Sequence, residues 1–225
     1  MLVEYHKIEC PFERDIEGSK KIVWNRWRNP TVEYLKDNKW VFTEKVDGTN
    51  IRIYWDGHDI TFAGRTDRAQ IPAMLNQYLI ETFQTNEVEE LFEQTFGEKE
   101  VTLYGEGYGA KIQGCGGAYR KDNSFMLFDV MINGNYQPRE TVEEIATMLN
   151  IDVVPIIFTG TIHEAIEFVM KHPKSTISED DLYMEGLVGR PAIELKDRCG
   201  NRVIVKIKWK DFKEFAEERR FCCTG

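Results

Sequence analysis

The chain has 225 residues, of which 42% are apolar, 30% charged and 12% aromatic, with a formal net charge of −9. That apolar share excludes a disordered acidic tail, and the length suits one large domain or two small ones, burying about 70% of the unfolded surface without disulfide staples. The acidic balance also argues against nucleic-acid binding, which sets Lys and Arg against phosphate.

Along the chain, the opening MLVEYHKIECPFERD is too charged for a signal peptide. Lys20, Lys21, Arg26 and Arg28 then cluster with Trp24 and Trp27, a pattern that suits either a nucleic-acid strand or an amphipathic surface turn. Trp40–Val46 reads as a strand. Thr49–Trp55 alternates Ile51, Ile53 and Trp55 against Asn50, Arg52 and Tyr54, which predicts a strand with one buried face. Asp56-Gly57 ahead of Ile60–Phe62 predicts a type I′ hairpin. Pro72 opens a helix carrying Met74, Leu75, Tyr78, Leu79 and Phe83, and Asn86 with Glu89 predicts a capped helix through Phe96.

Val101–Tyr104 reads as a strand entering a Gly-rich turn, and Phe125–Ile132 as a strand closed by Asn133-Gly134. Thr141 with Glu144 and Thr161 with Glu164 are capping boxes around a strand at Val153–Phe158. Gly186–Val188 and Arg202–Trp209 follow as strands, and Asp211–Arg220 as a last helix. No repeat and no Pro/Gly/Ser-rich linker divides the chain, so residues 1–225 read as a single domain. Hairpins with scattered helices predict an α+β fold with largely antiparallel sheets flanked by helices.

The cysteines Cys10, Cys115, Cys199, Cys222 and Cys223 are odd in number and include no C-x-x-C pair, which argues for reduced thiols rather than zinc or a disulfide framework. No apolar run approaches the roughly 20 residues that span a bilayer, and the final Cys-Cys-Thr-Gly does not fit a prenylation box. The expectation is a soluble, cytoplasmic protein.

Six segments carry chemistry. In Glu44-Lys45-Val46-Asp47-Gly48-Thr49-Asn50 a lysine between two strands can serve as an attacking amine, or as an ordinary loop lysine. Arg65 leaves a strand in Gly64-Arg65-Thr66 and suits a ribose or phosphate, or a solvated hairpin end. Tyr104–Gly114 places Glu106 among four glycines that permit close approach to a ligand, or make a loose loop. In Ser124–Val130, alternation puts Phe125, Leu127 and Asp129 on one face and Met126, Phe128 and Val130 on the other. Phe128 there suits base stacking or the core, and a carboxylate at Asp129 in so apolar a strand requires a partner. Glu185 opens an apolar strand, suited to a magnesium ion or to a turn. Lys206 and Lys208 share one strand face opposite Val205 and Ile207, where they suit a phosphate or solvent.

In this order the six segments resemble the motifs of the covalent nucleotidyltransferase superfamily of ATP-dependent DNA ligases, RNA ligases and mRNA capping enzymes. The stretch from Glu44 to Phe212 is most similar to the RNA ligase 2 family, on Asn50 and the K-I-K segment. Asp47 departs from that family, where histidine is frequent. The resemblance implies a ligase-type nucleotidyltransferase (adenylation) domain. Only about 17 residues follow Lys208, too few for an OB-fold.

It further implies ATP as AMP donor, with Mg²⁺ or Mn²⁺. Lys45 would be the nucleophile, with Lys206 and Lys208 neutralising the α-phosphate. Glu44, Asn50, Arg65, Glu106 and Phe128 would bind ATP, Glu185 would hold the metal, and Asp47 and Asp129 would give support. The implied reaction joins 3′-OH and 5′-phosphate RNA ends, in single strands or at nicks in a duplex, through lysyl-AMP and an adenylated 5′-end, as in RNA repair. A minimal DNA ligase, a capping-type enzyme and an inactive nucleotide- or RNA-binding module are the alternatives, and a partner subunit that supplies substrate binding is a further expectation.

The net charge is unevenly spread. Segment 81–100 sets seven glutamates against Lys99 and so carries −6 of the −9. An acidic flank leaves room for a basic reaction face, with weak and salt-sensitive binding as the expected outcome.

Overall fold

The computed structural model describes residues 3–222, with side chains up to residue 218. In chain order the elements begin with β1 (Phe12–Arg14), β2 (Ile22–Trp27), α1 (Pro30–Tyr34), β3 (Trp40–Glu44), β4 (Thr49–Trp55), β5 (Ile60–Ala63), α2 (Ala73–Phe83) and α3 (Asn86–Phe96). There follow β6 (Val101–Gly109), α4 (Gly116–Tyr119), β7 (Asn123–Ile132), β8 (Asn135–Tyr136), α5 (Arg139–Met148), β9 (Asp152–Val153) and β10 (Ile156–Gly160). The last are α6 (Ile162–Met170), β11 (Gly186–Pro191), β12 (Val205–Lys208) and α7 (Trp209–Cys222). The fold is α+β with largely antiparallel sheets, and no sheet closes into a barrel among the described residues. No described helix is long and apolar enough to cross a membrane. The chain forms two compact units, one of residues 3–6, 47–154 and 177–180, the other of 7–46, 155–176 and 181–222.

The first unit is built on the sheet β5-β4-β6-β7-β8, with β9 parallel to β7. Its core face carries Ile51, Ile53, Val101, Leu103, Phe125, Leu127 and Val130. Leu75, Leu79 and Phe83 of α2, one turn apart on a single stripe, cover that face together with Phe92 of α3 and Ile145 of α5. Each such fully buried side chain contributes about 1.5–3 kcal/mol.

Several expectations are corrected here. The Gly-rich stretch is no turn: β6 runs through to Gly109, paired with both β4 and β7. Gly105 and Gly107 serve packing, since a Cβ at Gly105 would stand 2.2 Å from the Phe125 ring and one at Gly107 2.4 Å from Leu75. The Asp56 turn is not type I′. Gly57 takes the positive φ of 103°, while the Asp56 carboxylate accepts from the amides of His58 and Asp59. Asn133 and Gly134 do both adopt positive φ, 48° and 78°, between β7 and β8. The cap of α3 is Thr85 rather than Asn86, and Thr141 lies inside α5, which opens after Pro138.

The second unit holds the sheet β10-β3-β11-β12 and the hairpin β1-β2. Trp40, Phe42, Leu187, Val205 and Ile207 pack against Ile162 and Ile166 of α6 and Phe212 of α7. The Thr161–Glu164 capping box forms as expected. The strand expected at Val153–Phe158 is divided instead. Pro155 cannot donate to a ladder, and β9 and β10 on either side of it belong to different sheets. Trp24 and Trp27 turn inward onto the core. Lys21, Arg26 and Arg28 pair with Glu214, Glu13 and Glu9. The basic–aromatic segment is therefore an amphipathic hairpin in which three of the four basic side chains are paired and Lys20 is exposed. Cys10 is buried and free and Cys115 and Cys199 are exposed and free; the readings on Cys222, Cys223 and the Cys-Cys-Thr-Gly end fall outside the described residues and side chains.

Candidate active site

In the second unit, β3 delivers Lys45 at its end, and the Lys45 amide donates to the Gly186 carbonyl at 2.9 Å. Next to Gly186, Glu185 reaches back. Its Oε2 lies 2.7 Å from Lys45 Nζ and its Oε1 2.5 Å from Lys208 Nζ. β12 supplies Lys208, held opposite Gly186 by strand register, and the Trp209 amide donates to the Glu185 carbonyl at 2.9 Å. The three side chains are 17–20% exposed, so the cluster is partly withdrawn from water yet open to a ligand. Burial alone would raise the Glu185 pKa. The Lys45 charge and the hydrogen bonds from Lys208 and Lys45 outweigh it and hold the carboxyl below its ordinary range. Lys206 shares the outward face of β12 with Lys208, while Val205 and Ile207 enter the core, as their alternation predicts.

Glu44, the last residue of β3, is 1% exposed. Its Oε1 accepts from Ser175 Oγ at 2.5 Å, and its Oε2 from the Thr176 amide and Thr176 Oγ1 at 2.9 and 2.7 Å. Ser175 and Thr176 escape sequence reasoning, because nothing local marks two hydroxyls as partners of a carboxylate so distant in the chain. The Glu44 carboxylate is thus an anchor for that segment within its own unit.

In the first unit the predicted residues gather on the sheet face opposite the core. Asn50 on β4 stands directly across from Glu106 on β6. On β7 the register shifts, with Tyr104 opposite Asp129 but Gly105 opposite Leu127, so Phe128 is the extra residue of a bulge. The bulge reverses the parity expected from simple alternation. Phe125, Leu127 and Val130 all enter the core. Asp129 and Phe128 turn the other way onto Tyr5, whose hydroxyl donates to Asp129 Oδ2 at 2.5 Å and whose ring meets Phe128 edge-on at 5.0 Å. Asp129 is fully buried, and Tyr5 is the partner its burial calls for.

Asn50 Oδ1 is buried without a hydrogen-bond partner among the described residues, which leaves an acceptor for a ligand. Asp47 and Gly48 are braced from α4 and the segment before it. The Asp47 amide donates to Tyr119 Oη at 3.3 Å, and Gln113 Nε2 to the Gly48 carbonyl at 3.0 Å. A Cβ at Gly48 would lie 2.3 Å from the Gly107 carbonyl oxygen, so the motif's glycine is sterically required. Arg65 is exposed beyond β5. Arg52, expected on a solvent face, is fully buried.

Two lysines converging on one carboxylate suit a phosphate-bearing substrate. A hard cation such as Mg²⁺ takes one or two carboxylates plus substrate phosphates, and Glu185 fits as that carboxylate. No group of three or more His, Cys, Asp or Glu side chains gathers to hold an ion among the described residues.

A family model described as RNA ligase matches residues 38–208. Among solved structures, Naegleria gruberi RNA ligase with pyrophosphate superposes with a TM-score of 0.62 at 20% identity, over 96% of this chain and 62% of its own. One mutant of the same ligase, with ATP and Mn, gives a TM-score of 0.65 at 18% identity over 96% of this chain and 59% of that one. Another, also with ATP and Mn, gives 0.60 at 21% over 84% and 54%. The chain therefore spans little more than half the length of these ligases. No curated protein matches the sequence.

Proposed function

Because the chain belongs to the RNA ligase family, we propose that it is an ATP-dependent RNA ligase, residues 1–225 acting as one nucleotidyltransferase domain. It would join a 3′-OH to a 5′-phosphate through lysyl-AMP and an adenylated 5′-end. The observation that carries this reading is the Lys45–Glu185–Lys208 cluster, an amine and a second cation on one carboxylate.

The Lys45 ammonium first parts from Glu185 and gives up a proton to solvent water. Its lone pair then attacks the α-phosphorus of ATP. A P–N bond forms, the bond to the bridging oxygen breaks, and pyrophosphate leaves with the electron pair. Lys206 and Lys208 neutralise the α-phosphate, and Lys208 orients the leaving pyrophosphate. A divalent ion, magnesium or manganese, held by Glu185, would add neutralisation of phosphate charge when bound. AMP next passes to the RNA 5′-phosphate, and the 3′-hydroxyl displaces it. Each step is an in-line displacement, so positioning and charge neutralisation supply most of the rate.

Arg65 and Glu106 are assigned to the ribose and Phe128 to the adenine face. The orphaned Asn50 oxygen supports a ligand contact beside Glu106. Glu44 reaches the adenine edge only if it yields one of its Ser175 or Thr176 bonds, and Asp47 and Asp129 are assigned supporting roles. The similarly folded Naegleria enzyme is described with ATP and Mn and with pyrophosphate, ligands that agree with this chemistry.

RNA repair in the cytoplasm, a nicked duplex as substrate and a partner subunit that compensates for weak, salt-sensitive binding complete the proposal. The test incubates the protein with α-labelled ATP, then with matched nicked RNA and nicked DNA. We expect a labelled protein and sealed RNA. Sealing of DNA alone favours the minimal DNA ligase, and absence of any adduct favours a binding module.

A further inference from the structure

Arg52 sits in the middle of β4 with no part of it exposed. A buried guanidinium is costly unless its donors are met, and this one is aimed at a loop. Its Nε donates to the Gly64 carbonyl at 2.8 Å and its Nη2 to Asp67 Oδ1 at 2.8 Å. These partners bracket Arg65 and Thr66. The chain leaves β5 at Ala63, which is the register partner of Arg52, so one strand's arginine grips the loop that continues its neighbour. Asp67 itself is 73% exposed. A carboxylate that water could solvate is instead spent on a cation inside the sheet. Arg65, between the two grips, is exposed and engages no other described residue.

We infer that Arg52 is a positioning residue for Arg65. Its planar fork fixes both ends of Gly64–Asp67, so Arg65 leaves the sheet in one direction and meets the nucleotide without first being ordered. The inference rests on the reading of Arg65 as a ribose contact. Lysine cannot replace Arg52, because one ammonium on a flexible stem does not span a carbonyl and a carboxylate as the guanidinium fork does.

The test uses Asp67→Ala, which removes an exposed side chain and spares the core, with Arg52→Lys as the second variant. Amide hydrogen exchange of the peptide over residues 64–70 is read alongside KM for ATP in the self-adenylation step. Both variants are expected to exchange roughly tenfold faster in that peptide alone. KM should rise about fivefold or more, with little change in the adenylation rate at saturating ATP. In an Arg65→Ala background, Asp67→Ala should add nothing further, which is the signature of two residues acting through one contact. Unchanged exchange overturns the clamp. Faster exchange with unchanged KM, or an effect of Asp67→Ala that is fully additive with Arg65→Ala, overturns the positioning role. If Arg65→Ala itself leaves KM unchanged, the ribose reading falls and takes the inference with it, and the exchange data separate that failure from the others.

Discussion

Lys45 Nζ lies 2.7 Å from Glu185 Oε2, so the amine assigned as nucleophile rests in contact with a carboxylate while its side chain stays 20% exposed. The contact makes Lys45 separable from the fold. Lys45→Ala leaves Glu185 paired with Lys208, and the variant should fold normally. It should nevertheless form no acid-stable adduct with α-labelled ATP. An adduct in the alanine variant removes Lys45 as the nucleophile.

The same carboxylate gives a pH prediction. The folded pKa of Glu185 lies below its ordinary 4.5. Its contribution to stability is therefore complete above the unfolded pKa and is lost as pH falls through the folded one. At pH 7, Glu185→Gln should cost about 1.5–3 kcal/mol, the range for hydrogen bonds to charged groups, read at about 2–4 °C of Tm per kcal/mol for a chain of this size. The gap between wild type and variant should narrow as pH drops below about 4.5. A gap that stays constant down to pH 3 contradicts the assignment.

Phe128→Leu should weaken ATP use more than Phe128→Tyr, because base stacking on an aromatic ring contributes about 1–3 kcal/mol. The readout is KM for ATP in self-adenylation. Equal activity of the two variants removes the stacking role and leaves Phe128 as the edge contact of Tyr5.

Gly105→Ala should be strongly destabilising. The new Cβ would lie 2.2 Å from the Phe125 ring and 2.6 Å from the Met126 carbonyl oxygen, and the latter is backbone and cannot move aside. Overpacking of this kind costs about 1–3 kcal/mol. Gly114→Ala, with nothing within 4 Å, is the control and should be near neutral. Thermal denaturation of the pair checks the reading, and equal midpoints would show that β6 adjusts to the methyl group.

Where one face of a strand is buried, the pattern was legible. Ile51, Ile53 and Trp55 enter the core as their spacing predicts, and Lys206 and Lys208 stay out. Local chemistry was legible too, in Asn133-Gly134 and in the Thr161–Glu164 box. What depends on pairing was not. The bulge at Phe128 exists only relative to β6, so alternation along β7 alone puts Asp129 on the wrong face. Glycines that look like a ligand cradle are fixed by Phe125 and Leu75. Arg52 looks solvent-facing until the loop beyond β5 folds over it. In the candidate site, the motifs named Lys45, Glu185 and Lys208, but only the register of β3, β11 and β12 shows one carboxylate holding both amines.

The interleaving of the two units along the chain sets a timetable for synthesis. β3 must await β11, and β11 must await β12, before the second unit's sheet is complete. At about 5–20 residues per second, Lys45 leaves the ribosome's catalytic centre roughly ten to thirty seconds before Lys208. For most of that interval Glu185 is missing as well, so Lys45 has neither the carboxylate nor the second cation that meet it in the folded unit. A chain cut between Glu185 and Lys208 would carry Lys45 and its carboxylate without the second lysine that meets that carboxylate in the folded unit.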